Sequence, residues 1–254
     1  MVRLVSIASR RTSDTTIKKR TASISVMAAA VMTFLKLWTG LQSGSIGMLS
    51  EAAHSGLDLV ASLITLVSVT ISDRPADEDH AYGHGKMENL AAFTETLLMA
   101  ASVLWILVEA IERVRRQATP LNLTVWPFAV LLLSMAVDFV RSRALGRADR
   151  QTKSQALEAD AMHFSMDIWS SLAVIGGLLA GGASQHWHLK WLHYGDPMAA
   201  VIVSIIILKV CWRMARQTIG ILTDAAPIVI RRRVAESLRQ LPDSIGVEQL
   251  RLRL

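Results

Sequence analysis

Six stretches of this chain, at about 22–42, 48–72, 89–112, 124–146, 157–182 and 197–221, are each apolar over a length that can cross a bilayer. A helix needs about 20 residues for the roughly 30 Å of hydrocarbon, and lipid tolerates no unpaired backbone. The chain is 52% hydrophobic, concentrated in runs longer than a water-soluble fold needs, so the pattern predicts an all-α membrane protein of six transmembrane helices. The single cysteine, Cys211, excludes an internal disulfide framework and a thiolate metal cluster within one chain; inside an apolar run it reads as packing.

The flanks divide the chain further. Residues 1–21 carry Arg3, Arg10, Arg11, Lys18, Lys19 and Arg20 and read as a basic cytoplasmic arm, disordered or interfacial, without a cleavable signal peptide. Residues 22–222 hold the six runs. Arg74, Lys86, the cluster from Arg141 to Lys153, and Arg231 to Arg233 would all lie on the side of the N-terminus. The positive-inside rule then places both termini in the cytoplasm, against the lone exception of Arg113, Arg115 and Arg116. Residues 223–254 read as a short amphipathic helix (Val229 to Leu241), a Pro-Asp-Ser turn and an alternating strand (Val247 to Leu254). One helix and one strand cannot bury a core, so this is the start of an incomplete α/β cytoplasmic domain. Compact loops point to a bacterial inner (plasma) membrane.

Chemistry enters where charge breaks the apolar runs. His163 and Asp167 share a face of the fifth run, and His54 and Asp58 repeat the same H-x-x-x-D spacing in the second. An ionisable residue at the centre of a membrane helix costs about 2.5–3.5 kcal/mol, so such faces need partners. Turned toward each other, they offer two nitrogens and two carboxylate oxygens, a set suited to tetrahedral Zn²⁺. Mg²⁺ and Ca²⁺ prefer all-oxygen cages and Cu⁺ prefers sulfur, leaving Fe²⁺, Mn²⁺, Co²⁺ and Cd²⁺ as neighbouring alternatives. Asp160, one turn before His163, reads either as an outer acceptor orienting that imidazole or as a charge at the helix end.

Other features carry less. Asp77, His80 and His84 lie three and four apart in a loop where Gly83 and Gly85 let the backbone bend toward one ion, while Glu78 and Asp79 add negative potential. Lys36 reads as a side chain snorkelling to the interface, and Asp138 as a local ion pair with Arg141 or a polar, proton-relaying group facing the bundle. Gly176, Gly177, Gly181 and Gly182 read equally as plain packing or as a hinge. His186, His188 and His193, interleaved with tryptophans, read as an interfacial belt.

These residues together resemble a family. H-x-x-x-D in the second run, the loop P-A-D-x-D-H-x-Y-G-H-G-K-x-E, S-x-A-L-x-A-D-x-x-H-x-x-x-D in the fifth and the Asp196-Pro197 start of the sixth are similar to the cation diffusion facilitators, over about residues 20 to 254. The resemblance implies a homodimer that exports Zn²⁺ or a related ion in exchange for protons by alternating access. It implies a transport site at His54, Asp58, His163 and Asp167, and a secondary cytoplasmic site at Asp77, His80 and His84. It further implies that Lys86 and Asp224 interlock at the dimer interface. The family's C-terminal domain is ferredoxin-like, and this chain carries only its opening helix and strand.

A mechanism follows from charge. Two carboxylates neutralise a divalent ion, and protons compete with the metal for the same four side chains, which couples metal leaving to protons arriving. Two other classes compete with this reading: a non-transporting membrane metal sensor or assembly partner, and a membrane-embedded metal hydrolase. A hydrolase would want an open coordination position that a symmetrical four-ligand set does not offer, so no enzyme is expected. Nor is a nucleic-acid partner.

Overall fold

The structure, a computed structural model, describes residues 2–44, 46–116, 125–187, 195–225 and 228–239. These form seven helices: α1 (Val2–Ser43), α2 (Ile46–Ser72), α3 (Lys86–Arg116), α4 (Val125–Thr152), α5 (Gln155–Trp187), α6 (Gly195–Leu222) and α7 (Ile228–Arg239).

The expected fold class is corrected in two respects. Among the described residues, three helices rather than six are long and apolar enough to cross a membrane: Ser13–Gln42, Met48–Ser72 and Lys86–Val108. Among the described side chains, the other three helices differ from these in the charge they carry. Helix α4 carries Asp138, Arg141, Arg143, Arg147, Asp149 and Arg150; α5 opens with Glu158, Asp160, His163 and Asp167; α6 closes with Lys209, Arg213 and Arg216. Each such group opposes insertion by about 2.5–3.5 kcal/mol at mid-membrane, a cost that counting apolar residues ignores. Secondly, no strand forms among the described residues, so the α/β segment is not present there; α7 is helical, and Val247 to Leu254 lie outside them.

The basic stretch before residue 22 is helical and continuous with α1. At 1.5 Å per residue, 42 residues extend roughly 63 Å, about twice the hydrocarbon thickness, so α1 projects beyond the membrane. Lys18 is tied down by Glu88 (2.8 Å) at the start of α3 and by Asp73 (3.1 Å) just after α2. Glu88 also accepts from Ser72 (2.8 Å) and from Ser154 at the start of α5. This knot gathers α1, α2, α3 and α5 at the end of the bundle that bears the 73–85 loop, hereafter the loop face.

At the opposite end, the far face, α1 turns into α2 through Gly44, whose φ of 61° suits glycine. A Cβ on Gly40 would lie 2.9 Å from Leu49 Cδ2 and 3.2 Å from its backbone nitrogen, so glycine lets the two helices meet closely. Helix α4 passes to α5 through Lys153 alone in a left-handed conformation (φ 55°), with Ser154 Oγ accepting from the Leu157 N–H at 3.4 Å as the cap. Helix α5 therefore returns antiparallel to α4, and it packs against α2, α3, α4 and α6.

The distribution of side chains is inside-out relative to a water-soluble bundle. Met27, Val31, Phe34, Trp38 and Leu41 expose an apolar stripe on α1, and Ile202, Ile205, Ile206 and Trp212 another on α6. Buried instead are Ser25, Lys36, Asp58, Ser62, Thr65, Glu95, Arg141, Asp160 and His163. An apolar exterior around a paired polar interior is what a hydrocarbon solvent selects. Small residues such as Ala22, Ala91, Ala148 and Ala156 pack with Leu145, Leu157 and Phe164 in one cluster, while Met99, Val103, Ile207 and Cys211 join α3 to α6.

Candidate metal centre

Where α2 crosses α5, the two H-x-x-x-D faces meet. His54 and Asp58 are four apart on α2, and His163 and Asp167 are four apart on α5, so each helix presents its pair on one side. His163 Nε2 lies 3.1 Å from Asp58 Oδ1 and 3.6 Å from Asp167 Oδ2. His54 Nε2 lies 3.8 Å from Asp167 Oδ1 and 3.9 Å from Asp58 Oδ1. Each imidazole thus faces the carboxylates of both helices.

Ligands about 2.0–2.1 Å from one tetrahedral ion stand roughly 3.3 Å from each other, and the four imidazole–carboxylate separations here run from 3.1 to 3.9 Å. The ligand atoms of His54, Asp58 and Asp167 all lie within 4.8 Å of one another; His163 stands outside that group and joins it through the two carboxylates. Asp167 Oδ2 is buried without a hydrogen-bond partner among the described residues, an oxygen left for a cation to satisfy. Two anionic oxygens and two imidazole nitrogens match a borderline divalent ion.

The second expected cluster also comes together. Asp77, His80 and His84 place one ligand atom each within 4.8 Å of one another. The His80 backbone N–H donates to Asp77 Oδ1 at 2.6 Å, and His80 Nδ1 sits 3.0 Å from the same oxygen. His84 Nε2 is 3.4 Å from Asp77 Oδ2, and the two imidazole rings lie 4.2 Å apart. Gly83, with φ 78° and its N–H donating to the His80 carbonyl at 2.8 Å, makes the bend that a side chain would strain.

That backbone donor from His80 is the main reason the Asp77 carboxyl is held below the usual carboxylate range; the His80 and His84 rings add to it. A lowered folded value means the turn gains from ionised Asp77 above about pH 4, and loses that support as pH falls through the lowered value. We expect protection of the His80 amide against hydrogen exchange to be flat from pH 8 to 5 and to fall below about pH 4. In Asp77→Asn it should be lower at neutral pH and independent of pH, a comparison that NMR-detected exchange makes directly.

Other expected roles are placed differently. Asp160 does not reach the His163 ring: it is fully buried and accepts from Ser25 Oγ (3.3 Å) and Ser62 Oγ (3.4 Å), while His163 Nδ1 has no partner among the described residues. It faces α1 and α2 because three residues before His163 is nearly a full turn, which leaves it on the neighbouring layer. Lys36 does not snorkel: it is buried, donating to Ser55 Oγ (2.8 Å) and Glu51 (3.2 Å) beside the site. Lys86 and Asp224 pair at 2.8 Å within one chain, locking the start of α3 to the end of α6. Asp138 and Arg141 do pair, at 3.5 Å, but Arg141 reaches inward as well.

Sequence reasoning missed Glu95, fully buried on α3 against the Thr65 hydroxyl, and the serines that hold Arg141. A carboxylate inside the third apolar run was the available signal for Glu95. Gly176, Gly177, Gly181 and Gly182 and the 186–193 histidines fall among side chains or segments outside the described set.

A family profile described as the cation efflux transmembrane domain matches residues 22–223. The chain is also similar to proteins called cation-efflux pump FieF. It is 28% identical over 235 residues to that of Citrobacter koseri and 29% over 235 to that of Salmonella newport. It is 30% identical over 234 residues to that of Salmonella choleraesuis. These matches cover 92%, 92% and 91% of this chain and 76%, 76% and 75% of the relatives.

Proposed function

The chain belongs to the cation efflux family and is a multi-pass membrane transporter of divalent cations, not an enzyme; from that premise we propose that its cargo is Zn²⁺, exchanged for protons by alternating access. The carrying observation is the convergence of His54 and Asp58 with His163 and Asp167 in the bundle interior. A bare divalent ion is prohibitively unfavourable in hydrocarbon, and two carboxylates cancel its charge while two imidazoles complete a four-coordinate shell. The same four groups bind protons when the ion leaves, so metal and protons exclude each other at one place. The loop cluster of Asp77, His80 and His84 is the secondary site in this reading, collecting ions at the loop face. A homodimer in a bacterial inner membrane completes it, supported by the resemblance; the Lys86–Asp224 pair closes within one chain and lends no support.

The test is flux in sealed proteoliposomes, comparing Zn²⁺, Cd²⁺, Mn²⁺ and Fe²⁺ under an imposed pH gradient. We expect Zn²⁺ to move fastest, with uptake reversing direction when the proton gradient is reversed. Equal Zn²⁺ flux with and without the gradient, in tight vesicles, would remove proton exchange from the reading.

A further inference from the structure

One turn from the ligand set toward the loop face, one cation among the described residues reaches across the bundle. Ser62 follows Asp58 by four residues and Asp160 precedes His163 by three, so both belong to the next layer. Into that layer α4 sends Arg141. Its Nη2 donates to Ser25 Oγ on α1 (3.0 Å) and Ser62 Oγ on α2 (2.9 Å), and its Nε to Ser25 Oγ at 3.3 Å. The guanidinium carbon lies 3.5 Å from the centroid of the Phe164 ring on α5, which itself leans on His163 at 5.4 Å between centroids. Asp160 accepts from the same two serines, and Asp138 supplies the ion pair. One side chain therefore ties α1, α2, α4 and α5 together, and arginine's planar fork makes those bonds simultaneously where lysine's ammonium would not.

Exposure around the ligand set is lopsided. The His54 and Asp167 side chains, nearer the far face, are 29% and 22% exposed, whereas His163 and Asp58 are 4% and 12%. The Arg141 side chain is 6% exposed. The more exposed half of the ligand set is thus the half nearer the far face, and the loop side is filled by a guanidinium on an aromatic ring. A fixed positive charge there also repels a dication that approaches from the loop face.

We propose that Arg141 is the loop-face gate of the transport path, closed here by Ser25, Ser62 and Phe164, and that a metal ion reaches His163 and Asp58 from the loop face only when the guanidinium leaves that layer. The proposal rests on the four-residue transport site above. Asp138, on Arg141's own helix, is the acceptor that can keep the charge paired while the serine bonds are released.

The experiment is sided thiol labelling of the full chain in vesicles. A Cys211→Ser background carries His54→Cys as reporter beyond the gate, and a small cationic methanethiosulfonate is applied to one face at a time. With Arg141 present, we expect labelling from the far face and little from the loop face. Arg141→Ala should raise loop-face labelling at least tenfold with far-face labelling unchanged, and Arg141→Lys should fall between. In the chain that retains His54, Arg141→Ala should let Zn²⁺ flow down its gradient without a proton gradient. Unchanged loop-face labelling in a variant still labelled from the far face would overturn the gate. If Arg141→Ala does not fold, the double Ser25→Ala/Ser62→Ala variant, which keeps the charge and removes its anchors, decides in the same assay. Failure of the unaltered chain to bind Zn²⁺ would instead overturn the four-ligand reading and leave the labelling result standing.

Discussion

Replacing Asp58 or Asp167 by alanine is expected to abolish Zn²⁺ flux, by at least about 100-fold, while leaving the protein folded. Losing an outer partner of a metal ligand typically costs about 10–100-fold, and here a ligand and half of the neutralising charge go together. The His163 imidazole stands 3.1 Å from Asp58 Oδ1 and 3.6 Å from Asp167 Oδ2, so each carboxylate serves both the ion and the opposing helix. Asn separates those contributions: it keeps volume and one acceptor oxygen and removes the charge. If charge neutralisation dominates, Asp58→Asn and Asp167→Asn should be nearly as inactive as the alanines. Proteoliposome uptake of radioactive zinc, paired with calorimetric binding in detergent, reads both steps. Wild-type flux in any of these variants would end the four-ligand account.

A second large effect is expected from Asp160, and it falls on stability. This carboxylate is fully buried, takes hydrogen bonds from Ser25 and Ser62, and stands across those serines from the buried Arg141. Breaking a buried charge arrangement by removing one partner costs about 3–5 kcal/mol, because the other charge stays behind. Asp160→Ala should therefore lower the unfolding midpoint in detergent by many degrees, and Asp160→Asn by much less, since its amide oxygen still accepts. Combining Asp160→Ala with Arg141→Met should recover part of the loss, because the orphaned guanidinium is gone; a strictly additive double mutant would show that the two charges are not coupled. Asp138, 3.5 Å from Arg141, limits the effect and predicts that Asp138→Ala alone is the milder change.

The legibility of this site follows from the range of each interaction. His54 with Asp58, and His163 with Asp167, are local pairs: helix geometry alone places residues four apart on one face, so the pattern reads directly from the letters. The Asp77–His80–His84 turn is local too, and Gly83 marks its bend. Apolar length alone counts six spans, whereas among the described residues three helices qualify, and the described parts of α4 and α6 carry basic residues that length leaves unweighed. Lys36 was expected at the interface because a long side chain there can snorkel; only the position of Ser55 and Glu51 on α2 shows that it has partners inside.

The sequence by itself determined that this chain makes long apolar helices interrupted by paired imidazoles and carboxylates, since both follow from hydrophobic runs and the 3.6-residue repeat. Only the tertiary structure decided that α2 meets α5 at those residues, that Arg141 reaches across four helices, and that Asp160 serves the serines instead of His163. The physical reason is that hydrogen bonds between buried charges join residues as far apart as Ser25 and Asp160, where partner choice depends on which helix faces touch. No local repeat encodes that choice; packing does.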